Sequence, residues 1–170
     1  DLNGKSQGKI TKDPNSRLDR YRLRWNNVKY EPGEIKVVVY DAQGKKAGEQ
    51  TVKTAGKPAK LQLDIWTANE SFKADGDDLA FITVSLTDAE GTLIPQADDQ
   101  LTFEVTGAGS FEAVCNGDAT SLESFKAPTM KLFNGQLVVV VRSAKTAGTL
   151  TLKVTDETRH LSATTTIKVI

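Results

Sequence analysis

Cysteine, histidine and methionine each occur once in the 170 residues, and tryptophan occurs twice. A lone Cys115 closes no internal disulfide, so cysteine usage fixes no redox compartment. With Cys115 and His160 each standing alone, a Cys/His zinc site and a Ser-His-Asp triad are close to excluded. His160 falls in the polar stretch Asp156-Glu157-Thr158-Arg159-His160, where a solvated turn residue is expected. Long apolar runs are missing too. The most apolar one, Leu137 to Val141, has five residues, far short of the roughly 18 of a membrane helix. No charged-then-apolar leader opens the chain. It begins at Asp1 rather than at a methionine and is expected to be a piece of a longer polypeptide. No cofactor and no metal are expected.

Excess charge of either sign is also absent, but the balance is uneven. Residues 1–56 hold 12 Lys+Arg against 7 Asp+Glu, and residues 57–170 hold 10 against 15. Such asymmetry suggests two modules, 1–56 and 57–170, divided near the linker signal Ala55-Gly56-Lys57-Pro58.

What is present is strand after strand. In the first module, Tyr21, Leu23 and Trp25 alternate with Arg20, Arg22 and Arg24, which predicts a half-buried strand with its arginines in water. An arginine row can also mark a nucleic-acid stripe, but the chain is not basic and no nucleic-acid partner is expected. Glu34 to Tyr40 and Lys46 to Thr54 then read as a hairpin about the turn Asp41-Ala42-Gln43-Gly44. About three strands fit here, too few to close a sandwich. Either this small sheet leans on a neighbour or its opening strands lie outside the sequence.

Beyond Pro58 the alternating segments come at regular spacing. Leu61, Leu63 and Ile65 form one inward face; Ala80, Ile82, Val84 and Leu86 the next. Leu101, Phe103 and Val105 follow, then Leu150, Leu152 and Val154, then Leu161, Ala163, Ile167 and Val169. The unbroken run Leu137 to Val141 predicts a central strand covered on both faces or at the heart of a sandwich. Turn signals such as Asp75-Gly76-Asp77-Asp78 and Asp88-Ala89-Glu90-Gly91 bound the strands, and no stretch has a helical period. About seven strands in this arrangement point to an all-β fold of tandem immunoglobulin-like β-sandwiches, the first incomplete and the second without the Cys-Trp-Cys signature of antibody domains.

Chemistry-bearing patterns are sparse. Glu104, Glu112 and Glu123 raise the question of a glycosidase carboxyl pair, yet no aromatic pocket accompanies them. Asp75, Asp77 and Asp78 lack the spacing and terminal Glu of a calcium loop and read as a β-turn. Trp66, which falls off the Leu63 and Ile65 alternation, is the sharpest candidate for a sugar-stacking platform; sealing the sandwich or packing on the first module is its structural role. The excursion from Asn116 to Asn134 is the other candidate. Asn116-Gly117-Asp118 is suited to cap the loop's own amides, Asn134-Gly135 to close it, and Phe125 and Phe133 to pin it down. The candidate ligand residues are thus Trp66, Asn116, Asp118, Phe125 and Asn134.

Three groups of residues carry a resemblance. The first is Leu2-Asn3-Gly4-Lys5-Ser6-Gln7-Gly8 with Leu23-Arg24-Trp25 and Tyr30-Glu31-Pro32-Gly33. The second runs from Thr54-Ala55-Gly56-Lys57-Pro58 to Ala74-Asp75-Gly76-Asp77-Asp78. The third is Asn116-Gly117-Asp118 through Thr120-Ser121, Glu123, Phe125-Lys126 and Phe133-Asn134-Gly135. Together they resemble the C-terminal accessory β-sandwich domains of glycoside hydrolase family 2 enzymes, especially Bacteroides-like β-galactosidases. Ala119, Leu122 and Ser124 depart from the family's usual Pro, His and Pro in the third group.

The resemblance implies catalysis in an upstream barrel whose two glutamates have no counterpart here. It implies an accessory, structural role in carbohydrate metabolism, with the catalytic domain as partner and a periplasmic, cell-surface or secreted location. A carbohydrate-binding module and an adhesin-type surface repeat are the alternatives. Glycan is a possible partner, no membrane partner is expected, and an open sheet edge in the first module makes a homodimer possible.

Overall fold

The computed structural model describes all 170 residues. They divide into two compact units, Asp1–Thr54 and Ala55–Ile170.

The first unit has one two-stranded antiparallel sheet of β1 (Glu34–Tyr40) and β2 (Lys46–Lys53). The Asp41 carboxylate makes the connection tight, accepting the amides of Gln43 at 3.0 Å and Lys45 at 2.8 Å. Leu2 bridges to Ile35, and the Asn3 amide donates to the Glu34 carbonyl at 2.8 Å, so the first residues cover part of the free edge of β1. The expected strand at Arg20–Trp25 does not form. Ser16 and Asp19 build successive turns instead: the Asp19 amide donates to the Ser16 hydroxyl at 3.0 Å and the Arg22 amide to the Asp19 carbonyl at 3.3 Å. The Arg24 guanidinium then grips both Asp19 oxygens, at 2.6 and 3.0 Å. A strand needs a partner for its backbone groups, and local side-chain bonds have satisfied them here. Tyr21 consequently lies 78% exposed rather than inward.

The second unit is a sandwich of two four-stranded antiparallel sheets. One has the order β3 (Lys60–Thr67), β4 (Leu79–Thr87), β8 (Gln136–Ser143), β6 (Gly109–Cys115). The other has the order β10 (Leu161–Val169), β9 (Gly148–Asp156), β5 (Gln100–Gly107), β7 (Thr129–Lys131). The alternation read from the sequence sets the inward faces. Ala80, Ile82, Val84 and Leu86 of β4 are completely buried, as are Leu150, Leu152 and Val154 of β9. Phe103 of β5 and Phe111 of β6 stack across the core, centroids 6.3 Å apart. Each fully buried Leu or Val adds roughly 1.5–3 kcal/mol of hydrophobic stabilisation.

Strand β8 is central, lying between β4 and β6, and of the two expectations it meets the second, the heart of a sandwich, rather than cover on both faces. Leu137, Val139 and Val141 point into the core, while Val138 and Val140 are half-buried on the outer face. The run is continuous because lateral neighbours shield that outer face. Between β6 and β8 the register slips at Phe111/Ala113, a bulge that leaves Glu112 without an opposite residue.

Candidate functional site

Two places in the second unit gather the candidate residues. The first is the outer face of the β3-β4-β8-β6 sheet. Register puts Trp66 opposite Phe81, Phe81 opposite Val140, and Val140 opposite Ala113. Side chains directly opposite share a face, so these four form one row across the sheet. The Trp66 and Phe81 rings meet at 5.5 Å with their planes tilted by 57°. Phe81 is half-buried, and Trp66 stands 60% exposed. One strand step away lies the row Asp64, Thr83, Val138, Cys115. On the other side lies the row Leu79, Arg142, Ser110.

Arg142 belongs to a charge cluster built on the bulge. Its Nε donates to Glu112 at 2.9 Å, and a terminal nitrogen approaches Asp77 at 3.5 Å. Lys126 reaches the Glu112 carboxylate at 2.6 Å and the Glu112 carbonyl at 2.9 Å. The Arg142 hydrogen bond, seconded by Lys126, holds the Glu112 carboxyl down at about 2, so it is ionised at any ordinary pH. The same pairing raises the Arg142 guanidinium.

The second place is the loop between β6 and β8. A cavity of about 380 Å³ is lined there by Asp98, Asn116, Asp118, Ser121, Glu123, Lys131, Leu132 and Phe133. Its polar side chains bond chiefly to the loop itself. Asn116 accepts the Asp118 amide at 3.0 Å and donates to the Lys131 carbonyl at 3.0 Å. Asp118 accepts the Thr120 hydroxyl at 2.7 Å and the Thr120 amide at 2.8 Å, contacts that lower its pKa. Glu123 accepts from the Lys131 amide at 3.3 Å and from Gln100 at 3.2 Å. Asn134 (φ 52°) and Gly135 (φ 80°) form the two-residue turn between Phe133 and Gln136, left-handed at both positions as a tight hairpin demands.

Asn116 and Asp118 are therefore brought together at the cavity, with Asn134 in the adjoining turn. Trp66 is elsewhere: its row crosses β8 at Val140, four residues beyond Gln136, or about 13 Å along the strand. The phenylalanines do not pin the loop as expected. Phe125 is 59% exposed and Phe133 40%, and the attachment is by backbone, the Val114 amide donating to the Phe125 carbonyl at 2.8 Å. Sequence reasoning missed Phe81, Glu112 and Arg142 as neighbours on a surface. Phe81 was findable, because it falls between the inward Ala80 and Ile82. Glu112 was not, because a bulge leaves no mark on the alternation.

Asp75 accepts the amides of Asp77 and Asp78, both at 2.8 Å, and these bonds lower its pKa. That is the capped turn read from the sequence. Asp88 is held low in the same manner, by the amides of Gly56 and Thr92 at 2.8 Å each.

Comparison with known proteins bears on both units. Residues 63–165 match the family described as glycoside hydrolase family 2 C-terminal domain 5, and residues 1–48 match a domain of unknown function. A β-galactosidase of Bacteroides ovatus is 41% identical over 157 residues, covering 92% of this chain and 17% of the relative. A β-glucuronidase of Formosa agariphila is 32% identical over 133 residues, covering 78% of this chain and 13% of the relative. The crystal structure of a family 2 glycosyl hydrolase from Bacteroides cellulosilyticus superposes with a TM-score of 0.86 at 33% identity, over 98% of this chain and 22% of that one. The chain thus spans less than a fifth of the length of these two curated relatives. Its all-β sheets and its partial coverage of longer glycosidases are those of a C-terminal region of such enzymes. The chain belongs to the family of glycoside hydrolase family 2 C-terminal domain 5.

Proposed function

We propose that this chain is a non-catalytic accessory region of a family 2 glycosidase, with the hydrolytic carboxyls elsewhere in the polypeptide. The observation that carries this reading is the extent of the match: the C-terminal domain 5 family covers residues 63–165, and the chain spans only 17% of its β-galactosidase relative. Its displaced carboxylates agree with it. Glycoside hydrolysis needs one carboxyl with a raised pKa to protonate the leaving oxygen. Asp19, Glu49, Asp75, Asp88, Glu112 and Asp118 are all displaced downward, by guanidinium, ammonium, hydroxyl or amide donors. Glu112, the farthest displaced, is a hydrogen-bond acceptor that fixes Arg142 rather than a proton donor.

The accessory role is bracing. One face of the β1–β2 hairpin carries Ile35, Val37, Val39 and Val52, between 41 and 60% exposed. A two-stranded sheet is marginal by itself and gains stability when a neighbour covers its apolar face. The neighbour would be the catalytic domain. The direct test incubates the purified chain with aryl β-galactoside and aryl β-glucuronide. No aryl release above buffer is expected. Release that Glu112→Gln abolishes would overturn the reading.

A further inference from the structure

We propose that the outer face of the β3-β4-β8-β6 sheet binds a neutral oligosaccharide, lying across the strands along the Trp66–Phe81–Val140–Ala113 row. The row spans three strand intervals, about 14 Å, and the half-buried Leu79 and Val138 of the flanking rows extend its apolar surface. Trp66 offers its exposed ring for stacking, and Phe81 against it fixes the tilt of that ring. Polar borders run along both sides. Asp64, bonded to the Gln62 amide at 3.0 Å, and Thr83 form one; Arg142 with Glu112, Lys126 and Asp77 forms the other. A sugar chain has matching parts, apolar C–H faces ringed by hydroxyls that both donate and accept.

The pattern of charge selects this occupant. The buried centre of a protein interface is depleted of charge, whereas this face sets Glu112, Lys126, Arg142 and Asp77 directly beside its apolar residues. A nucleic acid needs a basic surface, and residues 57–170 hold 10 Lys+Arg against 15 Asp+Glu. The carboxylates Asp64, Asp77 and Glu112 outnumber the cations Arg142 and Lys126 beside the strip, and both cations are already paired with those carboxylates, which disfavours an acidic sugar. Glu112, ionised throughout the working range, keeps Arg142 in one position, so its remaining N–H groups are pre-aimed rather than mobile.

The test is fluorescence titration of the whole chain carrying Trp25→Phe, so that Trp66 is the reporter. The probes are galactotetraose, xylotetraose, cellotetraose and mannotetraose, with tetragalacturonate as the acidic control. Saturable quenching by at least one neutral probe is expected, with no response to tetragalacturonate. Calorimetry on Trp66→Ala should show affinity for that probe down about tenfold or more, the order of loss on truncating an aromatic anchor. Its circular dichroism and unfolding midpoint should match the parent, since the side chain removed is mostly in water. Silence with all four neutral probes overturns the proposal. So does binding that survives Trp66→Ala, binding abolished by Phe133→Ala instead, or preference for tetragalacturonate. None of these results touches the accessory reading, which rests on the extent of the match to family 2 relatives.

Discussion

Replacing Arg159 by methionine should cost about 3 kcal/mol, and neutralising its two partners should restore most of it. Arg159 lies in the turn between β9 and β10, and its Nε forms an ion pair with Asp99 at 2.9 Å and approaches Asp156 at 3.8 Å. Asp156 is fully buried and the Asp99 side chain is 7% exposed. One oxygen of each has no hydrogen-bond partner within the chain. Removing the cation leaves two buried carboxylates unpaired, a loss of about 3–5 kcal/mol when a buried pair is broken. The low end applies because Arg159 is 37% exposed and water already screens the pair. In Arg159→Met/Asp99→Asn/Asp156→Asn no charge remains to bury. The carboxamide oxygen that Asp156→Asn introduces can still accept the backbone amide of residue 159, a bond that Asp156 now makes at 3.0 Å. Urea unfolding at pH 7, followed by Trp66 fluorescence in a Trp25→Phe background, reads the second unit alone. A single variant costing under about 1 kcal/mol, or a triple variant less stable than the single one, would refute the reasoning.

Two further outcomes follow from the same physics. Glu112 has its folded pKa lowered to about 2 from an ordinary 4.5, so its stabilisation is complete above about pH 4.5 and is lost as pH falls through about 2; the melting-temperature gap between the parent and Glu112→Gln should therefore be widest near neutrality and close on acidification, and a constant gap would mean that packing rather than charge is responsible. The open face of the β1–β2 hairpin should make the isolated chain self-associate, and Val37→Lys, which puts a charge in the middle of that face, should shift sedimentation velocity towards the monomer; a parent chain that stays monomeric at high concentration would sink this expectation.

The sandwich was legible in the sequence because one rule governs it. At Ala80–Leu86 and Leu150–Val154, where an apolar residue recurs at every second position and a turn signal closes the segment, a strand with that inward face is present. Of the expected inward face Leu61, Leu63 and Ile65, only Ile65 is exposed, at 41%. Arg20–Trp25 shows where the rule fails. Its alternation is as strict, but strand formation depends on a partner that alternation does not report, and the Ser16–Asp19 turn with its Arg24 clamp answers the backbone groups first. Leu137–Val141 shows a subtler limit. Five apolar residues indicate how well a strand is shielded, not which faces are covered, and a central position in a sheet with a half-shielded outer face satisfies the pattern equally well. The surface constellations were not legible at all, because they depend on register. Trp66 and Phe81 are 15 positions apart in sequence, and only the β3–β4 pairing makes them neighbours.

Where polar side chains direct their hydrogen bonds separates the two candidate surfaces. In the Asn116–Asn134 loop they turn inward. Asn116, Asp118 and Glu123 bond to amides and carbonyls of the loop and of β7, so a ligand entering the cavity would have to displace bonds that hold the loop in shape. Exchanging such bonds for new ones returns little net gain unless their geometry is reproduced. The outer sheet face is different. Its row of Trp66, Phe81 and Val140 makes no hydrogen bonds to lose, and Asp77 and part of the Arg142 guanidinium retain unused bonding positions beside it. Binding there needs no rearrangement of the fold, because strand pairing already holds the row rigid. The loop's polar side chains thus hold its own shape. On the sheet face an oligosaccharide would gain contacts without first breaking any.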